Sequence, residues 1–261
     1  MIFQDRLCGI IPCGFRKVVD DDTNVMIVRE DVVDFLTIER CTKRRAEDAD
    51  QATAFAGRAR LRAIQLQNGE RALIRPYRHG GLFRHLLGGV FFTWPPRPFR
   101  ELVVTEEVRH RGIPTVEVLA ACVKSIGGPF YHGWLVSRQL DGSEDLWTAI
   151  SDGLVRETGA EKILDAVAVT LRALHREGIY HRDLNLKNIL VRRESDSVRG
   201  YVIDFDRALL FLGEVPPVMV QRNFDRLLRS ALKLDPKRQH LSPGDWEHLV
   251  DSYHRRKSHE P

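Results

Sequence analysis

The chain has 261 residues, 43% of them hydrophobic and 29% charged, enough for one large domain or two small lobes with substantial cores. Its 40 Lys and Arg stand against 36 Asp and Glu. That surplus is too small for a nucleic-acid wrapper and is compatible with an acidic small substrate or an anionic membrane surface.

Residues 1–50 form a segment of unclear role, with strand-like or short-helix patches at 25–28 and 32–38 and a highly charged run over 41–50. Residues 61–66 alternate apolar and polar side chains, Asn68-Gly69 is a hairpin signal, and a second strand begins over 71–74. Arg78-His79-Gly80-Gly81 and Pro95-Pro96-Arg97-Pro98 break the chain on either side of a stretch holding Phe83, Phe91, Phe92 and Trp94. These aromatics suit a core; with Arg84, His85 and Arg97 they also suit contact with a lipid or acceptor. The pattern predicts a helix over 99–109, stopped by Gly112 and Pro114, then strands at 116–123 and near 135–139. A helix over 163–176 carries apolar positions at Ile163, Val167, Val169, Leu171 and Leu174 and ends at Gly178. Short apolar strands at 189–191 and 201–203 are joined by a turn over 195–200, and helices around 223–233 and 243–254 finish the chain.

The four cysteines, Cys8, Cys13, Cys41 and Cys122, match neither a zinc pattern nor a disulfide framework and read as reduced cytosolic thiols. No segment approaches the roughly 18 to 20 continuous apolar residues of a membrane span. The N-terminus lacks a secretory pattern, so the protein is expected to stay on the cytoplasmic side.

The informative segment is Tyr180-His181-Arg182-Asp183-Leu184-Asn185-Leu186-Lys187-Asn188, followed after the predicted hairpin by Val202-Ile203-Asp204-Phe205-Asp206. Phosphoryl transfer needs a carboxylate that orients the attacking hydroxyl and accepts its proton, and oxygen ligands that hold magnesium against a triphosphate. Asp183 fits the first role, with Asn188 and Asp204 as magnesium ligands. Either motif alone also suits ordinary polar turn residues; the two in this order and separation point to a phosphotransferase site that holds magnesium against a triphosphate.

Matching pieces stand upstream. Ala56-Gly57-Arg58-Ala59 suggests a phosphate-covering loop around Gly57, although it has a single glycine. Arg75, ending Ala72-Leu73-Ile74-Arg75, occupies the position of a kinase's phosphate-binding lysine. Its expected partner is Glu101 on the following helix, with Glu106 and Glu107 as fallbacks. A glutamate on a helix is also commonly a solvated charge.

With these residues the sequence resembles the Kdo/heptose lipopolysaccharide kinase family, whose members have a protein-kinase-like fold, and within it the 3-deoxy-D-manno-octulosonic acid (Kdo) kinases. The similar stretches are Arg75-Pro76-Tyr77-Arg78-His79-Gly80-Gly81-Leu82, Phe99-Arg100-Glu101 continuing to Gly112-Ile113-Pro114, and residues 181–190. Ile203-Asp204-Phe205-Asp206, Asn223-Phe224-Asp225-Arg226-Leu227-Leu228-Arg229-Ser230 and the tail from Asp245-Trp246 to Tyr253 also match. Asp-Phe-Asp in place of Asp-Phe-Gly, and Asn185 in place of lysine, separate this group from protein kinases. Ala59 and Pro76 depart from the family pattern, where a second glycine and histidine are usual.

The resemblance implies an α+β, two-lobed fold: a small antiparallel-sheet lobe with one helix over 51–138, and a shortened, mainly helical lobe over 139–261. It implies phosphorylation of an inner-core sugar hydroxyl of lipopolysaccharide, the 4-hydroxyl in Kdo kinases, by a peripheral enzyme at the cytoplasmic face of the inner membrane. The implied partners are a Kdo-lipid A type glycolipid and that membrane surface, with no nucleic acid. Only 57 residues follow Asp204, and they hold no Ala-Pro-Glu element. Little room is left for a peptide-docking region, so a small or lipid-linked acceptor is expected rather than a protein. The alternatives are a heptose kinase of the same family, a phosphotransferase acting on another small alcohol, or an inactive kinase-shaped binding scaffold.

Overall fold

The computed structural model describes residues 10–20, 23–42, 61–78 and 88–255. They divide into a sheet unit, residues 10–107 and Val116–Gln139, and a mainly helical unit, Val108–Thr115 and 140–255.

The sheet unit is built on six antiparallel strands: β1 (Phe15–Asp20), β2 (Asn24–Arg29), β3 (Arg62–Gln65), β4 (Arg71–Pro76), β5 (Val118–Gly127) and β6 (Phe130–Arg138). Their spatial order is β1-β2-β5-β6-β4-β3. Strand side chains alternate between faces, and here each face has its own core. Met26, Val28, Ile64, Ile74, Cys122 and Val136 bury one face, with Ile38 and Cys41 of the short helix α1 (Ile38–Thr42). Ile27, Ala121, Val123, Tyr131 and Leu135 bury the other, with Leu102 and Val103 of α2 (Arg97–His110). Cys13, Cys41 and Cys122 are free thiols; burial, then the Cys41 hydrogen bond, pushes the Cys122 thiol well up, so it packs as an inert apolar group.

The predicted Asn68-Gly69 hairpin is present. Asn68 Oδ1 accepts the Glu70 amide at 3.1 Å, and Gly69 supplies the left-handed turn position at φ 83°. The patch at 32–38 is neither a strand nor one helix: a 3-10 turn over Glu30–Val32 precedes α1.

The helical unit holds α3 (Leu146–Ser151), α4 (Val155–Thr158), α5 (Ala160–Arg176), α6 (Pro217–Leu234) and α7 (Pro243–His254). Its strands are β7 (Ser143–Asp145), β8 (Ile179–Tyr180), β9 (Ile189–Glu194), β10 (Ser197–Val202) and β11 (Leu209–Leu210), with β10-β9-β7 in one sheet and β11-β8 in another. Helix α5 buries Ile163, Leu164, Val167, Leu171 and Leu174. Thr170 Oγ1 on that helix donates to the Gly200 carbonyl at 3.2 Å, and a Cβ on Gly200 would crowd that hydroxyl, so glycine lets helix and hairpin approach. Helix α7 starts on a capping box between Ser242 and Asp245, with Pro243 in the first turn. The turn expected over 195–200 is tighter than that, because β10 already begins at Ser197.

Candidate active site

The β9–β10 hairpin sets the geometry. Ile189 pairs with Val202, and one step further out the Ile203 amide donates to the Asn188 carbonyl at 3.0 Å. Asn188 enters the hairpin and Asp204 leaves it at the same end, which the spacing alone had suggested.

Between His181 and Asn188 the chain alternates buried anchors with outward polar groups. Leu184 and Leu186 are buried, whereas Asp183 is exposed. The Asp183 carbonyl accepts both Asn185 Nδ2 at 2.8 Å and Asn188 Nδ2 at 3.0 Å. Asn185 Oδ1 in turn accepts the Lys187 amide at 2.9 Å, capping the 3-10 turn Leu186–Asn188. The Asp183 carboxylate stands 3.7 Å from a guanidinium nitrogen of Arg207.

Asp204 adopts the left-handed region at φ 70°, a conformation aspartate tolerates better than most side chains. Fully buried Phe205 follows and packs against the His181 ring, centroids 5.3 Å apart. His181 Nε2 donates to the Ile203 carbonyl at 2.9 Å, tying the Asp183 loop to the residue before Asp204. Burial holds the His181 imidazole below its ordinary pKa, against the pull of that carbonyl and of Asp204 and Asp183. The ring therefore stays neutral, with its proton on Nε2.

Behind this loop runs a buried polar chain. The Asn223 amide donates to the His181 carbonyl at 2.7 Å, and Asn223 Oδ1 accepts His175 Nε2–H at 3.0 Å. His175 Nδ1 accepts the Tyr253 hydroxyl at 2.9 Å. Asn223 and His175 are both buried. Asn223 stands in one of the family-like stretches, but no local pattern marks it or His175 as supports of the loop, because their partners lie far away in the chain.

Asn188 Oδ1 accepts no hydrogen bond from the described residues, since the side chain is held by its Nδ2. The Asn188 amide oxygen and the Asp204 carboxylate, carried on residues at the same end of the hairpin, make a hard-oxygen donor set. It fits Mg2+, which takes one or two protein ligands and fills its octahedron with phosphate and water oxygens. Among the described residues no group of three His, Cys, Asp or Glu is arranged to hold a metal; a nucleotide-bound magnesium does not need one.

Arg75 and Glu101 meet within the sheet unit. Arg75 Nη2 is 2.5 Å from Glu101 Oε1, and Glu101 is only 2% exposed. The Tyr77 hydroxyl donates to the other carboxylate oxygen, and the Arg75 guanidinium lies 5.0 Å from the centre of the Tyr77 ring. Glu101 is thus a buried, multiply bonded carboxylate and not a solvated helix charge. Gly57 and the rest of Ala56-Gly57-Arg58-Ala59 lie outside the described residues, as do Phe83, Arg84 and His85. Of the aromatics weighed as core or lipid contact, Phe91 is core, whereas Phe92 and Trp94 are exposed at 65% and 91%.

The family model described as "Lipopolysaccharide kinase (Kdo/WaaP) family" matches residues 35–253. Among curated proteins, the chain is 29% identical over 189 residues to a 3-deoxy-D-manno-octulosonic acid kinase of Pasteurella multocida, covering 71% of this chain and 76% of that one. It is 33% identical over 185 residues to the enzyme of the same name from Vibrio cholerae, covering 68% and 72%. A solved structure titled "WaaP in complex with acyl carrier protein" aligns over 75% of each chain, with 20% identity and a TM-score of 0.48. The family match and the sheet-plus-helices architecture agree with the protein-kinase-like α+β fold expected from the motifs.

Proposed function

Because the chain belongs to the lipopolysaccharide kinase (Kdo/WaaP) family, and is thereby a phosphotransferase acting on a sugar alcohol, we propose that it transfers the γ-phosphate of ATP to the 4-hydroxyl of Kdo on a Kdo-lipid A glycolipid. The observation that carries this reading is the convergence of Asp183, Asn188 and Asp204 at one end of the β9–β10 hairpin.

In this reading the acceptor hydroxyl sits against the exposed Asp183 carboxylate. That carboxylate takes the proton as the hydroxyl oxygen bonds to the γ-phosphorus and the bond to the bridging β–γ oxygen breaks, releasing ADP. Asn188 Oδ1 and the Asp204 carboxylate would hold Mg2+, which would supply positive charge against the developing phosphate charge. Arg75, oriented by buried Glu101, is assigned to the nucleotide phosphates, and the Gly57 segment to covering them. The acceptor is lipid-linked and the donor is ATP, so the working position is the cytoplasmic face of the inner membrane, bound peripherally. Among the described residues no helix is long and apolar enough to cross a membrane.

The test is mass analysis of Kdo-lipid A incubated with Mg2+-ATP and either wild type or Asp183→Ala. One phosphate should appear on Kdo, and loss of the base should slow transfer roughly a hundredfold or more. Phosphate gained instead on the heptose of a core oligosaccharide offered in parallel would make the protein the sibling kinase. ATP binding with no transfer by wild type would favour a scaffold and sink the reading.

A further inference from the structure

Arg207 follows the Asp204-Phe205-Asp206 motif at a rigid point in the backbone. Its neighbours Asp206 and Ala208 are buried, the Ala208 amide donates to the Phe205 carbonyl at 3.0 Å, and Leu209 pairs with Tyr180. The Arg207 side chain is 59% exposed and reaches out to 3.7 Å from Asp183 Oδ2. That distance is inside ion-pair range but beyond a hydrogen bond. Arg207 makes no hydrogen bond to any described residue. Arg182, on the other side of Asp183 in sequence, is also exposed and has no partner among the described residues.

An exposed ion pair of this kind contributes little to folding, so its position calls for another explanation. A sugar acid carries its own carboxylate on the ring that bears the reacting hydroxyl. Bringing that hydroxyl to Asp183 sets two carboxylates close together, which is unfavourable without a cation between them. A guanidinium fork binds a carboxylate through two parallel hydrogen bonds, and Arg207 stands where such a fork is needed. A neutral sugar makes no such demand.

We propose that Arg207 binds the carboxylate of the acceptor sugar and selects a sugar acid over a neutral sugar; this rests on the Kdo reading above. The experiment compares full-length wild type, Arg207→Gln and Arg207→Lys on Kdo-lipid A and on the same glycolipid with its Kdo carboxyl methyl-esterified, at saturating Mg2+-ATP. Wild type should prefer the free acid about ten- to hundredfold in kcat/KM, the usual worth of a charge-assisted bidentate contact. Arg207→Gln should erase that preference, mainly by raising KM for the free acid, with KM for ATP unchanged, and Arg207→Lys should restore part of it. Equal loss on both acceptors, or a raised KM for ATP, overturns the assignment while leaving the Kdo reading intact. Transfer by wild type to neither acceptor overturns the Kdo reading and this inference with it.

Discussion

The side-chain amide of Asn223 on α6 holds the backbone carbonyl of His181 at 2.7 Å, two residues ahead of Asp183. Every donor in the chain from Tyr253 through His175 and Asn223 to that carbonyl meets one acceptor, so the direction of each hydrogen bond is fixed by its neighbours.

Asn223→Ala should therefore cost more than one ordinary hydrogen bond. It strands the His181 carbonyl and the His175 N–H in a dry interior, each worth about 1–3 kcal/mol when unsatisfied. The expected loss in urea unfolding is roughly 3 kcal/mol, with a lower kcat because the Asp183 loop loses its rear support. A variant as stable as wild type would show that the chain carries no load.

Acid should weaken the same region. Burial, partly offset by the Asn223 hydrogen bond, lowers the His175 imidazole from 6.5 to about 4. Between those values the unfolded chain binds a proton that the folded chain refuses. Stability is therefore full above about pH 6.5 and falls as the pH drops towards 4. From pH 6.5 to pH 5 the His175 share is about 2 kcal/mol, with His181, also lowered by burial, adding in the same direction. Urea midpoints at the two pH values should move less for His175→Gln than for wild type; equal movement would refute the linkage.

Glu101→Ala removes the carboxylate that both Arg75 and the Tyr77 hydroxyl contact. The expected result is a destabilisation of about 1–3 kcal/mol and a raised KM for ATP. Glu101→Gln keeps the shape without the charge and should retain more of the stability than of the nucleotide affinity. An unchanged KM for ATP in both variants would remove Arg75 from the nucleotide site.

Gly178 links α5 to β8 at φ 73°, and a Cβ there would press on the backbone carbonyls of Gly213 and Phe211. Backbone atoms cannot swing aside as a side-chain tip can. Gly178→Ala should cost more than about 1 kcal/mol for the left-handed conformation alone, with the crowding added. Thermal unfolding measures it; a melting temperature within a degree of wild type would contradict the crowding.

The sequence by itself determined the elements whose signals are local. The Asn68-Gly69 turn and the 3.6-residue stripe of α5 involve residues within a few positions of one another, where covalent connection forces the contact. It also determined the chemistry on offer, since carboxylates and amides at the spacing of Asp183, Asn188 and Asp204 carry the family's motifs. Strand β1 was not legible, because its residues Phe15–Asp20 are mostly exposed and show too little apolar alternation. The six-residue helix α3 is too short for a periodic stripe.

Tertiary structure alone decided the pairings across long stretches of chain. It added the Tyr77 hydroxyl to the Glu101 carboxylate already expected for Arg75, sorted buried Phe91 from exposed Phe92 and Trp94, and assembled His181, Asn223, His175 and Tyr253 into one line. The reason is common to all three. A buried polar or aromatic group must be satisfied or packed by whatever the fold brings beside it, and that neighbour is set by packing of the whole unit rather than by spacing along the chain.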